Sequence, residues 1–314
     1  MVWKSVINNG SIRAQQKHLF QNSVFRNKAQ FQTQKEEVTQ DQTQNQSNPN
    51  NQKDYVSESA YTHFGFKSIP ESSKEKLVGN VFSSVATKYD IMNDAMSGGI
   101  HRIWKDHFIR TMNPLPGTKL IDMAGGTGDI TARFLNYTKQ KYSDDTSTVH
   151  MVDINPEMLE EGKKRFENTE WYRNNQIKFD IGNAEDLNFI EDETYDVYTI
   201  AFGIRNCTHV DKVVKEAYRV LKRGGCFMCL EFGKVNNPII SEVYDFFSFK
   251  VIPDIGGLIA NDRDSYKYLV ESIRKFPDQE TFSGIIKDAG FVSFGKGYED
   301  LTFGVASIHT GYKL

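Results

Sequence analysis

Nowhere in its 314 residues does the chain carry an apolar run near the about eighteen residues that a membrane-spanning helix needs, and no signal-peptide core is present either. Neither a spanning segment nor a secretory route is expected. Cysteine is scarce: Cys207, Cys226 and Cys229 are too few and too close together to frame a secreted disulfide fold. Cys226 and Cys229 match C-x-x-C, but they fall inside an expected strand, where residues an odd number apart face opposite sides. Two buried hydrophobes are expected there. No second Cys/His pair stands at ligand spacing, so no metal site is expected. Charge of one sign is also lacking: the net charge is -3, and no Lys/Arg cluster is interleaved with aromatics. A nucleic-acid partner is therefore not expected.

Acidic residues are missing from one place in particular. From Met1 to Lys35 there is no Asp or Glu, while Lys4, Arg13, Lys17, Arg26, Lys28 and Lys35 are spread among apolar residues, Ser and Gln. Such a leader reads as a mitochondrial transit peptide over residues 1–37. Residues 38–60 follow, dominated by Gln and Asn and short of apolar side chains to repay the entropy of ordering; a disordered linker is expected. The folded domain then occupies 61–314.

From Lys119 onward short apolar strands alternate with helical segments. The strands are expected at Lys119–Ala124, Val149–Ile154, Ile177–Ile181, Tyr195–Phe202 and Cys226–Phe232, with helices starting near Gly128, Pro156, Val210 and Pro238. Two of those starts carry Asn before Pro, a capping side chain ahead of a residue whose missing N–H costs nothing in a first turn. Helices Ser265–Phe276 and Gln279–Ala289 and strand-like runs Gly290–Tyr298 and Leu301–Tyr312 close the chain. The pattern predicts an α/β fold, a mostly parallel sheet with helices on both faces.

Leu120-Ile121-Asp122-Met123-Ala124-Gly125-Gly126-Thr127-Gly128-Asp129 runs from a strand through a glycine-rich turn into a helix. Such a turn lets a ligand lie against backbone and helix N–H groups. The next strand ends on Asp153, from which a carboxylate can accept both hydroxyls of a ribose. The dinucleotide fingerprint wants a third glycine where Ile130 and Thr131 stand, so a pyrophosphate is served less well than a methionyl chain. The third strand enters Gly182-Asn183-Ala184, where the Asn183 side chain and the Ala184 N–H are candidates to read an adenine edge.

At this point a resemblance becomes specific. Tyr89-Asp90-Ile91-Met92-Asn93-Asp94, Ser97 and His101-Arg102-Ile103-Trp104 resemble a signature of the ubiquinone/menaquinone C-methyltransferase family. Thr62-His63-Phe64-Gly65-Phe66, Phe202-Gly203-Ile204-Arg205-Asn206, Ala260-Asn261-Asp262 and Tyr266–Ile273 agree with it. The likeness runs from Thr62 to the C-terminus. It implies a class I, Rossmann-like fold with a seven-stranded sheet, S-adenosylmethionine as cofactor, and Thr127, Asp153, Asn183 and Ala184 as its binding residues, with Gly126 and Ala201 beside them. Ala201 stands where the family often has Ser, which leaves it a backbone or packing role. The implied reaction is C-methylation of a polyprenyl methoxy-benzoquinol in ubiquinone biosynthesis. Implied surroundings are a multi-subunit coenzyme Q biosynthetic complex, a homodimer contact and peripheral attachment to the matrix side of the mitochondrial inner membrane.

Arg205 and Asn206 fall where the fourth strand enters the ligand crevice. An arginine is a better electrostatic clamp for a quinol oxygen than a base. Tyr89 lies on a helical face with Val78, Phe82, Val85 and Met92, and either core packing or a lid over the cofactor suits it. The proton released on methylation has Tyr89, His101 or water as candidate acceptors, and the sequence does not choose. Residues Pro238–Ile252 carry a polar stripe of Ser241, Glu242, Asp245 and Ser248 on an otherwise apolar surface. That surface suits the protein core, a prenyl-tail channel, a dimer contact or a membrane. A nicotinamide oxidoreductase shares the glycine turn but wants the missing glycine and a catalytic His pairing; a scaffold subunit would not need Asp153, Gly126 and Arg205 together.

Overall fold

The alternating strands and helices build one seven-stranded sheet. The computed structural model describes residues 60–235, 237–252, 254 and 263–314; the expected leader, nearly all of the linker, and Ala260-Asn261-Asp262 lie outside them. Two short strands, β1 (Tyr61–Phe64) and β2 (Lys67–Pro70), form an antiparallel hairpin. Three helices follow: α1 (Glu71–Val85), α2 (Tyr89–Ser97) and α3 (Ile100–Met112). The alternating region then gives β3 (Lys119–Met123), α4 (Asp129–Tyr142), β4 (Thr148–Asp153), α5 (Pro156–Phe166), the single turn α6 (Glu170–Arg173), β5 (Ile177–Ile181) and β6 (Tyr195–Ala201). The last part is α7 (Val210–Val220), β7 (Leu221–Phe232), α8 (Pro238–Phe246), α9 (Arg263–Lys275), α10 (Gln279–Asp288), β8 (Tyr298–Leu301) and β9 (Ala306–Tyr312).

The strands lie in the order β5-β4-β3-β6-β7-β9-β8. Strands β3 to β7 run parallel, and β9 and β8 are antiparallel. The order turns back between β3 and β6, so the crevice outside the carboxyl ends of those two strands is where a ligand is held in such a sheet. Both faces are covered, as the near-continuous apolar strands require. Ile121, Met123, Tyr198, Phe227 and Cys229 pack with α7 and α10 on one side. Leu120, Met151, Val197, Met228 and Leu230 pack with α3, α4 and α5 on the other. Each fully buried Phe or Leu in these layers contributes about 1.5–3 kcal/mol. Cys226 and Cys229 join opposite layers as free thiols, as their odd spacing demands.

Both Asn-Pro starts cap as expected: the Asn155 and Asn237 side chains accept from the backbone N–H of Met158 and Ile240, at 2.9 and 3.2 Å. Three expectations are corrected. The Val78–Met92 face is not one helix, because a 3-10 turn at Ala86–Lys88 separates α1 from α2. The run Gly290–Tyr298 is mostly loop: Gly295 and Gly297 take positive φ, Val292 makes a lone bridge to Tyr312, and pairing starts at Tyr298. The stripe on Pro238–Ile252 also breaks. Phe247–Val251 form a π turn, whose extra residue shifts the helical register. Ser248 is thereby buried, while Phe246 is 66% and Phe249 40% exposed. A third apolar cluster, Val85, Met92, Ile252, Tyr266 and Val270, joins α1, α2 and α9 with the residue that follows the π turn.

Candidate active site

At the carboxyl ends of β3, β4, β5 and β6 lies a cavity of about 350 Å³, within the range of about 300–1,000 Å³ common for small-molecule sites. The strand tips that form it are tightly bent. Ala124, just past β3, and Phe202, just past β6, are non-glycine residues with positive φ, 52° and 56°. Such strain persists where the surroundings enforce it, and it concentrates at functional sites. A Cβ on Gly203 would stand 2.5 Å from the Ala124 Cβ, so the two tips can approach this closely only with glycine there. Gly126, in the glycine turn, has φ +51°, and a Cβ on it would lie 3.0 Å from Met158 Cε.

Asp153 closes the tip of β4. Its carboxylate accepts from the Gly126 N–H at 2.9 Å and the Asn155 N–H at 2.8 Å, while the residue stays 7% exposed on the cavity wall. Burial pushes its carboxyl up to about 6 against those opposing hydrogen bonds. Asp122, mid-strand in β3, behaves alike: burial raises it to about 6, although it accepts from Thr131 Oγ1 at 2.7 Å and Thr199 Oγ1 at 3.0 Å. Asn183 and Ala184 line the same wall; the Asn183 Oδ1 accepts from the Glu185 N–H at 2.9 Å. Thr127 lines it too, its hydroxyl donating to Asp90 at 3.2 Å, and Ala201 is half-buried at the end of β6. Helix α1 covers the opening with Glu71, Glu75, Val78, Gly79 and Phe82. Hydrogen bonds from Asn155 Nδ2 to the Gly79 carbonyl, 3.1 Å, and to Ser83 Oγ, 3.0 Å, hold it there.

A second cavity, about 210 Å³, abuts the first. Phe82, Tyr89, Lys105 and Phe202 line both and so form the partition. The second chamber is walled by Val81, Val85, Met92, Trp104, Phe232, Phe247, Ile252, Leu269 and Val270, with Tyr244, Tyr266 and Tyr268. Arg205 lies on this side of the partition, whereas Asn206 lines the first chamber. The sequence put Arg205 beside the cofactor crevice and gave it no partner. In the structure it is 4% exposed and paired with the fully buried Glu231 of β7, Nη1 to Oε1 at 3.0 Å. Its Nη1 also donates to the Phe202 carbonyl, while its buried Nε has no hydrogen-bond partner among the described residues. Desolvation drives the Glu231 carboxyl up, with Arg205 pulling the other way. Tyr268 donates to Asn206 Oδ1 at 3.0 Å, which leaves the amide NH2 free to donate elsewhere.

Sequence reasoning missed Asp122, Glu231 and the partition. For the two acids a signal existed: each is a carboxylate inside an otherwise apolar buried strand, Leu120-Ile121-Asp122-Met123 and Cys229-Leu230-Glu231-Phe232, where an unpaired charge is costly. The partition draws on four separated segments and left none.

The first chamber's donor set suits a cationic adenosyl compound. Glu71, Glu75, Asp122, Asp129, Asp153 and Glu185 line it against Lys105, Lys212 and His209, an acid excess that favours positive charge. The model of the ubiE/COQ5 methyltransferase family matches residues 70–313. The chain belongs to that family. Among relatives of the ubiE/COQ5 family is the mitochondrial 2-methoxy-6-polyprenyl-1,4-benzoquinol methylase of Schizosaccharomyces pombe, 54% identical over 83% of this chain and 87% of the relative. Proteins of the same name from Dictyostelium discoideum and Homo sapiens are 51% and 50% identical, covering 82% and 81% of this chain and 88% and 85% of theirs. A solved Methanococcus maripaludis protein assigned to the S-adenosyl-L-methionine-dependent methyltransferases shares the fold. It has a TM-score of 0.50 and 18% identity, over 74% of this chain and 93% of that one.

Proposed function

We propose that this member of the ubiE/COQ5 family transfers a methyl group from S-adenosylmethionine to a ring carbon of a polyprenyl methoxy-benzoquinol, within mitochondrial ubiquinone biosynthesis. The observation that carries the reading is the pair of abutting chambers, one acid-lined at the strand tips and one apolar beneath the helices, separated by four side chains. A polar donor and a greasy acceptor are thereby kept apart except at one contact.

The sulfonium, when bound, supplies an electrophilic methyl group. Asp153 accepts from the ribose hydroxyls, Asn183 and Ala184 face the adenine, and the backbone at Gly126 and Thr127 leaves room for the methionyl chain. The bare turn needs no side chain to move. In the second chamber the Arg205 guanidinium, held by Glu231, supplies positive charge for the quinol oxygen, and Asn206 offers its amide from the first chamber across the partition. Holding negative charge on that oxygen raises electron density at the neighbouring ring carbon, which an oxidised quinone cannot supply. Proximity contributes roughly 7–11 kcal/mol when the reacting atoms are held in line. Tyr89, on the partition, is placed to exclude water from the contact.

The relatives' names support a mitochondrial site. Among the described residues no helix is long and apolar enough to cross a membrane. Phe66, Phe246 and Phe249 are exposed, the rings of Phe66 and Phe249 lie 6.4 Å apart, and the exposed Lys67 and Lys250 neighbour them. An aromatic patch fringed by lysines suits a peripheral contact with the matrix face of the inner membrane, where a prenyl tail resides. A homodimer and a place in a multi-subunit coenzyme Q biosynthetic complex complete the proposal. Its test is anaerobic methyl transfer to a short-chain methoxy-benzoquinol, with and without reductant. Transfer only to the reduced ring is expected; equal rates on the oxidised ring reject the quinol chemistry, and no transfer to any quinol rejects the function.

A further inference from the structure

Among the described residues of the second chamber, one group is suited to take a proton. Methylating a ring carbon that bears hydrogen joins that carbon to the methyl and breaks the sulfur–carbon bond. The ring C–H must then lose its proton, its electron pair returning to the ring. Arg205 cannot accept it, because a guanidinium stays protonated. Lys105 Nζ donates to Asp129 Oδ2 at 2.8 Å, and a lysine ammonium has no acceptor to offer. Neutral phenols accept protons poorly, and burial pushes Tyr244 and Tyr268 further toward their neutral forms.

His101 remains. It is the second residue of α3, 6% exposed, and it lines the second chamber with Arg205 and Tyr89. Its Nε2 lies 2.9 Å from Asp94 Oδ1, and Asp94 is itself clamped by Arg102 through contacts of 2.7 and 2.6 Å. An ionised carboxylate only accepts hydrogen bonds, so Nε2 carries the hydrogen and Nδ1 the lone pair. Nδ1 has no hydrogen-bond partner among the described residues. Desolvation holds the imidazole below its ordinary range and so keeps it neutral, ready to accept. The Asp94 side chain is 37% exposed, which opens the pair toward solvent. The same geometry that orients a histidine base in hydrolases, a carboxylate on the far nitrogen, is thus built at this chamber.

We propose that His101 Nδ1 takes the ring proton and that Asp94, fixed by Arg102, holds the imidazole in that tautomer and stabilises the imidazolium that results. This rests on the quinol C-methylation reading above. Removing a positioned base costs about 10²–10⁴-fold in rate. The test is His101→Ala in the full chain, assayed with a quinol carrying hydrogen or deuterium at the reacting carbon, with and without imidazole, alongside calorimetric cofactor affinity. A drop in kcat of that size with cofactor affinity unchanged, partial recovery by imidazole, and a deuterium isotope effect larger than in the unaltered protein are expected. Turnover at the unaltered rate, or a loss with neither rescue nor isotope effect, overturns the assignment. Nitrogen-15 spectra of the free protein should show His101 protonated on Nε2 alone; a hydrogen on Nδ1 also overturns it. Should His101→Ala not fold, Asp94→Asn leaves His101 and Trp104 in place and must raise the same isotope effect. If the unaltered protein methylates no quinol, the function itself fails; if it does and His101→Ala matches it, only the proton assignment fails.

Discussion

Replacing Glu231 with Gln tests whether the clamp on Arg205 is electrostatic. Glu231 is wholly buried, and its carboxylate meets Nη1 of Arg205 at 3.0 Å, the Phe232 N–H at 2.8 Å and the Arg205 N–H at 3.4 Å. Glutamine keeps the volume and one acceptor but leaves a guanidinium without its counter-charge. Breaking a buried pair from one side costs about 3–5 kcal/mol. At roughly 2–4 °C per kcal/mol for a domain of this size, the lower figure alone depresses Tm by about 6–12 °C. Losing the carboxylate also releases the guanidinium from the position that Glu231 fixes beside the chamber, so kcat should fall while cofactor affinity, measured calorimetrically, holds. The decisive variant is the double substitution Arg205→Met with Glu231→Leu. Apolar replacement of a whole buried pair is often neutral in stability, so the double variant should regain most of the lost Tm and none of the turnover. Thermal unfolding and the anaerobic methyl-transfer assay read the two effects separately. If the double variant is no more stable than Glu231→Gln, or if Glu231→Gln keeps both Tm and turnover, the clamp reasoning is wrong.

Cofactor binding should depend on acid. In the role proposed for it Asp153 must be ionised to accept from two hydroxyls, and burial raises its carboxyl in the free protein to about 6; affinity should therefore fall about tenfold between pH 7 and pH 5 by calorimetry. The stability contribution has the opposite sign: a raised carboxyl stabilises the folded state at low pH and loses that contribution as pH climbs through about 6, so Asp122 and Asp153 together should make the free protein lose stability on going from pH 5 to pH 7 at these two sites. Asp122→Asn, with the charge removed, should flatten that slope in urea titrations. Gly203→Ala forces a methyl against Ala124 Cβ at 2.5 Å and should cost about 1–3 kcal/mol in urea unfolding together with cofactor affinity; an unperturbed Kd counts against the tight approach of the strand tips. Phe246→Ser with Phe249→Ser should lower co-sedimentation with anionic vesicles while leaving turnover of a short-chain quinol intact; undiminished sedimentation removes the aromatic patch as the membrane contact.

The parallel half of the sheet was legible because its signals are local. An apolar run, a glycine turn and an acid at a strand end each occupy a few consecutive residues, and β3, β4, β5 and β6 fall within a residue or so of their expected bounds. Asp153, Asn183, Ala184 and Gly126 share one cavity for the same reason: in a parallel sheet successive strand tips are neighbours. The second chamber was not legible. It is assembled from α1 to α3, the end of β6, the π turn, α9 and the loop at Thr302–Val305, and only tertiary packing brings these together. The partner of Arg205 stood 26 residues away on β7, a separation no periodicity encodes. The π turn that buried Ser248 and exposed Phe246 has no composition mark of its own.

The partition of Phe82, Tyr89, Lys105 and Phe202 separates two inheritances of shape. In the proposed reading, the donor is gripped mainly by the tips of the sheet and the acceptor is received by helices laid over it. Exchanging the helical roof for one of different contour would redirect the same alkylating machinery to another aromatic ring, provided those four side chains still meet.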